Sequence, residues 1–413
     1  MRALMPWKPP QRPRWLERLN AHGTAVGDPR ALVSLDPEEL LETARRSTGL
    51  DDFGGEEWRA HFDVFVEALE RECQMHLAGR LVTRTEILRT LRNRLQLADL
   101  WRRRPEILRE EIHPPIFVVG SPRSGTSILH ELLALDPAHR TPAMWEIEHP
   151  VEALAGDALR AVGDAETTFW HDLQPEYETM HANAGDLPNE CIFITMHEFL
   201  SDQWGGCHNI PTYQTYLAKA DHRPAYRYHR RFLQTLQQRE RGERWLLKAP
   251  SHLFQLRALF AVYPEARVIQ THRDPLKTIP SSLSLMGTLK WMRCEVSDPA
   301  AGAEASASGY AYIYRRQIEQ RASGELPDDR FVDVRYADVV ADPGATVERI
   351  YAALGWRCAP ALRQAVVDYV ARKPRGSRGV HHYSLEEMGL DPAAERRRFA
   401  FYCDHFKVAE EQG

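Results

Sequence analysis

The stretch FVVGSPRSGTSILHELLALDP, residues 117–137, joins a β-branched run to a helical one through a turn that contains Gly120 and Gly125. A turn of this kind feeding a helix offers unpaired backbone N–H groups and the positive end of the helix dipole, which together attract an anion. The spacing is that of a phosphate-binding loop, G-x-x-x-x-G-K-[ST], with one departure: Thr126 stands where the pattern has lysine, while Ser127 keeps the hydroxyl position. The absent lysine is the group that reaches the terminal phosphates of a nucleoside triphosphate, and no convincing strand-plus-aspartate element for magnesium accompanies the loop. Arg123 lies inside the turn instead, where a planar guanidinium can grip a phosphate or sulfate through two parallel bonds. A second cation, Lys248, ends the apolar run of RWLLKAP. Either it merely solvates the end of a strand, or it acts at the functional edge of a sheet, which is the favoured reading.

Strand-like and helix-like segments alternate around these residues. IFVVG is followed by TSILHELLALD, RWLLKAP by SHLFQLRALFAVYP, ARVIQTHRDP by LKTIPSSLSL, and RFVDVRY by DPGATVERIYAALG. Such alternation predicts a parallel sheet covered on both faces, a three-layer α/β fold of the P-loop kind. Ligands of these sheets sit beyond the carboxyl ends of the strands, where Gly120, Lys248 and Arg273 all fall. Residues 1–113 read as a helical region packed on that core. Asp36-Pro37-Glu38-Glu39 is a helix start, and Phe62, Phe65, Val66, Leu69, Cys73 and Leu77, then Ile87, Leu88, Leu91 and Leu95, recur at three- and four-residue steps as packing faces.

PRSGTS, followed about 150 residues later by RDPLKTIPSS, resembles the sulfotransferases that use 3′-phosphoadenosine 5′-phosphosulfate (PAPS). The motifs LKAPSH, HRDP and a late YSLE…GLD are similar to those of bacterial sulfotransferase-family proteins, and the likeness runs over roughly residues 114–400. It implies that 114–413 form the PAPS-binding unit. Arg123, Ser124, Gly125, Thr126 and Ser127 would hold the 5′-phosphosulfate. Arg273, with Ser281 eight positions on, would grip the 3′-phosphate; the alternative for Arg273 is a surface ion pair with Asp274. Lys248 corresponds to a lysine that assists catalysis in tyrosyl-protein sulfotransferases, and Arg378, in a late glycine-basic stretch, would close on the 3′-phosphate.

Sulfuryl transfer also needs a base for the acceptor's proton. Glu146 in TPAMWEIEHP resembles, in approximate register, the catalytic glutamate of tyrosyl-protein and several carbohydrate sulfotransferases, and it ranks first. His181 in ETMHANAGDLPNE lies about as far beyond the loop as the histidine of the aryl and steroid enzymes, and an imidazole suits proton transfer near neutrality. Glu190 ranks third, as a structural or substrate-lining residue. The expected reaction moves the sulfuryl group of PAPS to the hydroxyl of a small-molecule or lipid-like acceptor, leaving adenosine 3′,5′-bisphosphate, with no metal. Trp170, Tyr177, Phe193, Phe199 and Trp204 either line the acceptor pocket or belong to the core. The alternatives are a P-loop kinase, disfavoured by the absent lysine, and an inactive nucleotide-binding protein, disfavoured by the retained Arg123, Lys248, Arg273 and Ser281.

A formal net charge of −5 over 413 residues gives no support to nucleic-acid binding. Six scattered cysteines without a C-x-x-C pair read as free thiols, and the absence of a secretory h-region or a long apolar span suggests a cytoplasmic protein. The basic, proline-rich start MRALMPWKPPQRPRWLERLN reads as a loosely docked, solvated arm.

Overall fold

Five short strands carry the architecture of the computed structural model, which describes residues 7–181, 184–373 and 381–411. They are β1 (Ile116–Val119), β2 (His139–Arg140), β3 (Arg244–Lys248), β4 (Arg267–His272) and β5 (Phe331–Arg335), all parallel and in the order β2-β3-β1-β4-β5. Every residue of β1 is buried, as a central strand covered on both faces requires. Its alternate side chains enter different cores. Phe117 and Val119 join Tyr226, Phe232, Leu253 and Tyr314, whereas Ile116 and Val118 join Leu129, Leu132, Val347 and Ile350. The helices Thr126–Leu133, Leu256–Val262, Pro275–Trp291 and Pro343–Ala353 follow β1, β3, β4 and β5 in turn, as the alternation predicts. The two-residue β2 escapes the sequence reading because a pair of polar residues has no period.

The N-terminal helices begin as expected, with the Asp36 carboxylate accepting the Glu39 N–H at 2.9 Å ahead of helix Pro37–Thr48. The apolar stripe from Phe62 to Leu77, however, belongs to two helices. Glu57–Glu72 ends before Cys73, and Leu77–Arg103 starts afresh where the His76 ring accepts the Gly79 N–H at 2.9 Å. Both pack against helices inserted between β2 and β3: Phe62 lies 4.9 Å from Phe199 and Phe65 lies 4.6 Å from Trp204, centroid to centroid. Phe199 and Trp204 are therefore core, not acceptor lining. Arg94 adds a buried polar tie, donating to Glu198 Oε1 at 2.6 Å and to the His197 carbonyl at 2.7 Å.

The described part of the N-terminal arm is docked firmly through Trp7 and Arg12, with Lys8, Pro9 and Gln11 left exposed. Trp7 Nε1 donates to Ser284 Oγ at 2.9 Å, and the Arg12 guanidinium lies 3.4 Å from the Trp291 ring centre while donating to the Cys294 carbonyl at 2.6 Å. Aromatic and cationic side chains anchor a proline-rich segment that has no periodic pattern to betray it. Among the described residues no helix is long and apolar enough to cross a membrane.

Because Phe65 is fully buried between the N-terminal helices and the inserted ones, Phe65→Ala should cost about 3–5 kcal/mol of unfolding free energy in urea titrations. A loss below ~1 kcal/mol would show that this interface does not hold the fold together.

Candidate functional site

The parallel sheet brings the ends of β1, β3 and β4 to one edge, and with them the loop 120–127, Lys248 and Arg273. The loop is tightly specified. A Cβ on Gly120 would stand 2.3 Å from Thr271 Oγ1, and one on Gly125 would stand 2.5 Å from the Tyr336 ring. Gly125 also has φ +94°, a left-handed backbone that favours glycine. Arg123 adopts φ +69°, a left-handed conformation that costs a non-glycine residue about 1–2 kcal/mol and persists only where its surroundings fix it.

Those surroundings are visible. Arg123 Nε donates to Ser281 Oγ at 3.1 Å and Nη1 to the Met180 carbonyl at 2.7 Å. The Ser124 side chain is occupied within the loop: its Oγ donates to the Ser121 carbonyl at 2.6 Å and lies 2.7 Å from Thr271 Oγ1. Ser124 thus shapes the turn and has no hydroxyl proton left to offer an anion. Gly125, Thr126 and Ser127 lead into the helix Thr126–Leu133, whose opening N–H groups face the edge where an anion would sit.

Lys248, 3% exposed, ends β3 directly beside this helix start. Its Nζ donates to Ser127 Oγ at 3.1 Å and forms a short ion pair with Glu190. Glu190 Oε1 also lies 3.7 Å from His181 Nε2, within ion-pair reach of a protonated imidazole. Burial opposes charge on Glu190, but Lys248 and His181 together overcome it and hold the carboxyl down at about 2. The His181 ring stacks on Tyr177 at 6.1 Å, and Tyr177 lies 5.9 Å from Trp170. Trp170, Phe193 and Asn189, the neighbour of Glu190, line a small chamber of ≈ 10 Å³, room for about one water, together with the charged Glu86, Arg89 and Glu148.

Glu146 is not in this cluster. Its Oε1 accepts from Arg140 Nη2 at 2.5 Å and lies 3.2 Å from Arg239 Nε, while Oε2 accepts the Ala143 N–H at 2.9 Å. One oxygen closes the start of a short helix, Met144–Glu148, and the other is held by two arginines beside the edge strand β2. Glu190, third in the sequence ranking, is the carboxylate that stands in the cluster with Lys248 and His181. Its signal was present only as an acid in LPNEC, with nothing in the spacing to show that an inserted loop returns to β3.

Arg273 follows β4. Its Nε and Nη2 donate to the two carboxylate oxygens of Glu411 at 2.8 Å each, its Nη1 donates to the Arg123 carbonyl at 2.9 Å, and its guanidinium rests 4.2 Å from the Tyr336 ring centre. A surface pair with Asp274 does not form; Asp274 is fully buried and takes Arg396 bidentately, at 3.0 Å to each oxygen. Ser281, one of the most buried polar residues, accepts from Arg123 and so ties the helix that follows Arg273 to the glycine-bounded loop. Arg378 lies outside the described residues.

These features fit an anionic ligand: two glycine positions that tolerate no side chain, three cations at one sheet edge, and a guanidinium fork already bridging a pair of anionic oxygens. Comparison with known proteins agrees at the level of family. The profile of the Sulfotransferase family matches residues 114–360. Among characterised relatives, the omega-hydroxy-beta-dihydromenaquinone-9 sulfotransferase Stf3 of Mycobacterium bovis is 30% identical over 282 residues, 63% of this chain and 68% of that one. Among solved structures, sulfotransferase STF1 of Mycobacterium tuberculosis superposes with a TM-score of 0.75 at 32% identity, covering 89% of this chain and 98% of that one. STF9 of Mycobacterium avium gives 0.78 at 26% identity over 91% and 98%.

The low position of Glu190 makes a pH prediction. A depressed carboxyl contributes stability above its unfolded value, about 4.3, and loses it as pH falls toward 2. The stability deficit of Glu190→Gln, which leaves Lys248 buried without its counter-charge, should therefore be largest near neutrality and shrink below about pH 4 in denaturant titrations. A deficit that stays constant from pH 6 to 3 would separate Glu190 from that linkage.

Proposed function

The chain belongs to the sulfotransferase family, and on that premise we propose that it moves the sulfuryl group of PAPS to the hydroxyl of a small, apolar-bodied acceptor, with the His181–Glu190 pair receiving the acceptor's proton. The observation that carries this reading is the Glu190 carboxylate standing between Lys248 and His181, with Lys248 also on Ser127 of the phosphate loop.

PAPS supplies an activated sulfuryl group on a phosphate leaving group. The residues supply alignment and charge. Loop N–H groups and Ser127 hold the 5′ end, Lys248 and Arg123 offset negative charge there, and Arg273 with Ser281 takes the 3′-phosphate. The balance of charge is met by protein cations, so activity is expected to persist in excess chelator. A carboxylate held at about 2 is a weak base at neutral pH, whereas an imidazole is matched to the task. Glu190 then orients His181 and stabilises the imidazolium that forms, while the Lys248 ammonium turns to the oxygen that leaves. Glu146, with both oxygens held by two arginines and a backbone N–H, is assigned a structural role in place of the base its sequence context suggested. Tyr177, Trp170 and Phe193 form a run of ring contacts leading away from His181, which suits a hydrophobic alcohol such as the omega-hydroxy-beta-dihydromenaquinone-9 in the name of the Stf3 relative.

With omega-hydroxylated isoprenoid quinones and phenols as trial acceptors, His181→Ala should lower kcat by roughly 10²–10⁴, and Glu146→Gln should stay within about threefold of the parent. The reverse order would restore Glu146 as the base. Independently of any acceptor, calorimetry should show tighter binding of adenosine 3′,5′-bisphosphate than of adenosine 5′-monophosphate, and Arg273→Ala should remove most of that preference, worth about 1.5–3 kcal/mol for a charge-assisted contact. Equal affinities in the parent protein would reject the 3′-phosphate assignment.

A further inference from the structure

The guanidinium that would read the 3′-phosphate is already engaged. Arg273 offers its side edge, Nε and Nη2, to both oxygens of Glu411, each at 2.8 Å. Its remaining nitrogen, Nη1, serves the Arg123 carbonyl, and the Tyr336 ring backs the plane. The fork is thus fixed in place, and its bidentate edge is filled by a carboxylate whose paired oxygens match the geometry of a phosphate edge. Glu411 is brought there by its backbone: its N–H donates to Asp274 Oδ2 at 3.1 Å, and Asp274 is itself held by Arg396, which also pairs with Glu410 at 3.4 Å. Asp274 in turn caps the Pro275–Trp291 helix that carries Ser281, accepting the Leu276 N–H at 3.0 Å. The tail therefore stays anchored whether or not the Glu411 side chain lies on Arg273.

We propose that Glu411 is an internal ligand of the 3′-phosphate site, a carboxylate that occupies the Arg273 fork when no nucleotide is bound and swings aside when a 3′-phosphorylated nucleotide enters. This rests on the reading of Arg273 as the 3′-phosphate residue. The contact charges every incoming 3′-phosphate a competition penalty while leaving nucleotides that lack that phosphate unaffected, because they do not need the fork. A protein whose competent state is only partly populated binds with an affinity reduced by that fraction. Removing the competing charge should raise affinity for the 3′-phosphate alone.

The test is calorimetric, on the full-length chain, with adenosine 3′,5′-bisphosphate and adenosine 5′-monophosphate as probes. Glu411→Gln should tighten the bisphosphate on the order of 3- to 10-fold, the scale of one partly exposed bidentate ion pair, and leave the monophosphate unchanged. Glu410→Gln removes the same charge one residue away, from a carboxylate that faces Arg396, and should move neither nucleotide. Unchanged bisphosphate affinity in Glu411→Gln, or equal tightening in Glu410→Gln, overturns the proposal while the 3′-phosphate assignment stands, provided that Arg273→Ala still abolishes the preference for the bisphosphate. If the parent protein shows no such preference and Arg273→Ala changes nothing, the assignment of Arg273 fails and the proposal with it.

Discussion

The ion pair between Lys248 and Glu190 is the constraint on which the site depends. Both groups are buried, and a buried charge without its partner is strongly destabilising, so the two segments that supply them must meet. Lys248 arrives on the third strand, a position dictated by the apolar run before it. Glu190 arrives on a loop between helices inserted after the edge strand. Their meeting places His181 next to the carboxylate and Ser127 next to the ammonium, so the glycine-bounded loop, the Lys248 ammonium and the His181 ring share one electrostatic junction.

The same logic extends across the edge of the sheet. Three cations, Arg123, Lys248 and Arg273, gather where parallel strands end, and their mutual repulsion has to be offset. Each has an internal partner of its own. Arg123 is held by a hydroxyl and a carbonyl, Lys248 by a carboxylate and a hydroxyl, and Arg273 by the carboxylate of Glu411. Such partners let the cluster exist without an anionic ligand, at the cost of rearrangement when one enters. The cost is smallest where the partner can be resolvated, which describes the 28% exposed Glu411 side chain better than that of Glu190, 12% exposed.

The N-terminal helices take part in this arrangement indirectly. Phe62, Phe65 and Arg94 grip the inserted helices at Phe199, Trp204 and Glu198, and those helices continue from the loop that delivers Glu190. The docked arm at Trp7 and Arg12 braces the far end of the helix that carries Ser281. Two segments outside the sheet thus bear on the two helical elements that frame the site.

What the sequence determined by itself is local in origin. The glycine-bounded turn after a β-branched run, the strand–helix alternation, the Asp36 cap and the positions of Arg123, Lys248 and Arg273 at strand ends all follow from backbone permissiveness and hydrophobic period, which act over a few residues. What only the tertiary structure decided is which acid lies beside Lys248 and His181. Nothing in the sequence separates Glu146 from Glu190; one is claimed by Arg140 and Arg239 at the sheet edge, the other by Lys248 and His181 beside the glycine-bounded loop. The break at His76 inside an unbroken apolar stripe, the core positions of Phe199 and Trp204, and the seat of Glu411 on Arg273 were hidden for the same reason. Long-range pairing of charges and rings depends on where distant segments come to rest, and no periodicity or motif spacing encodes that directly.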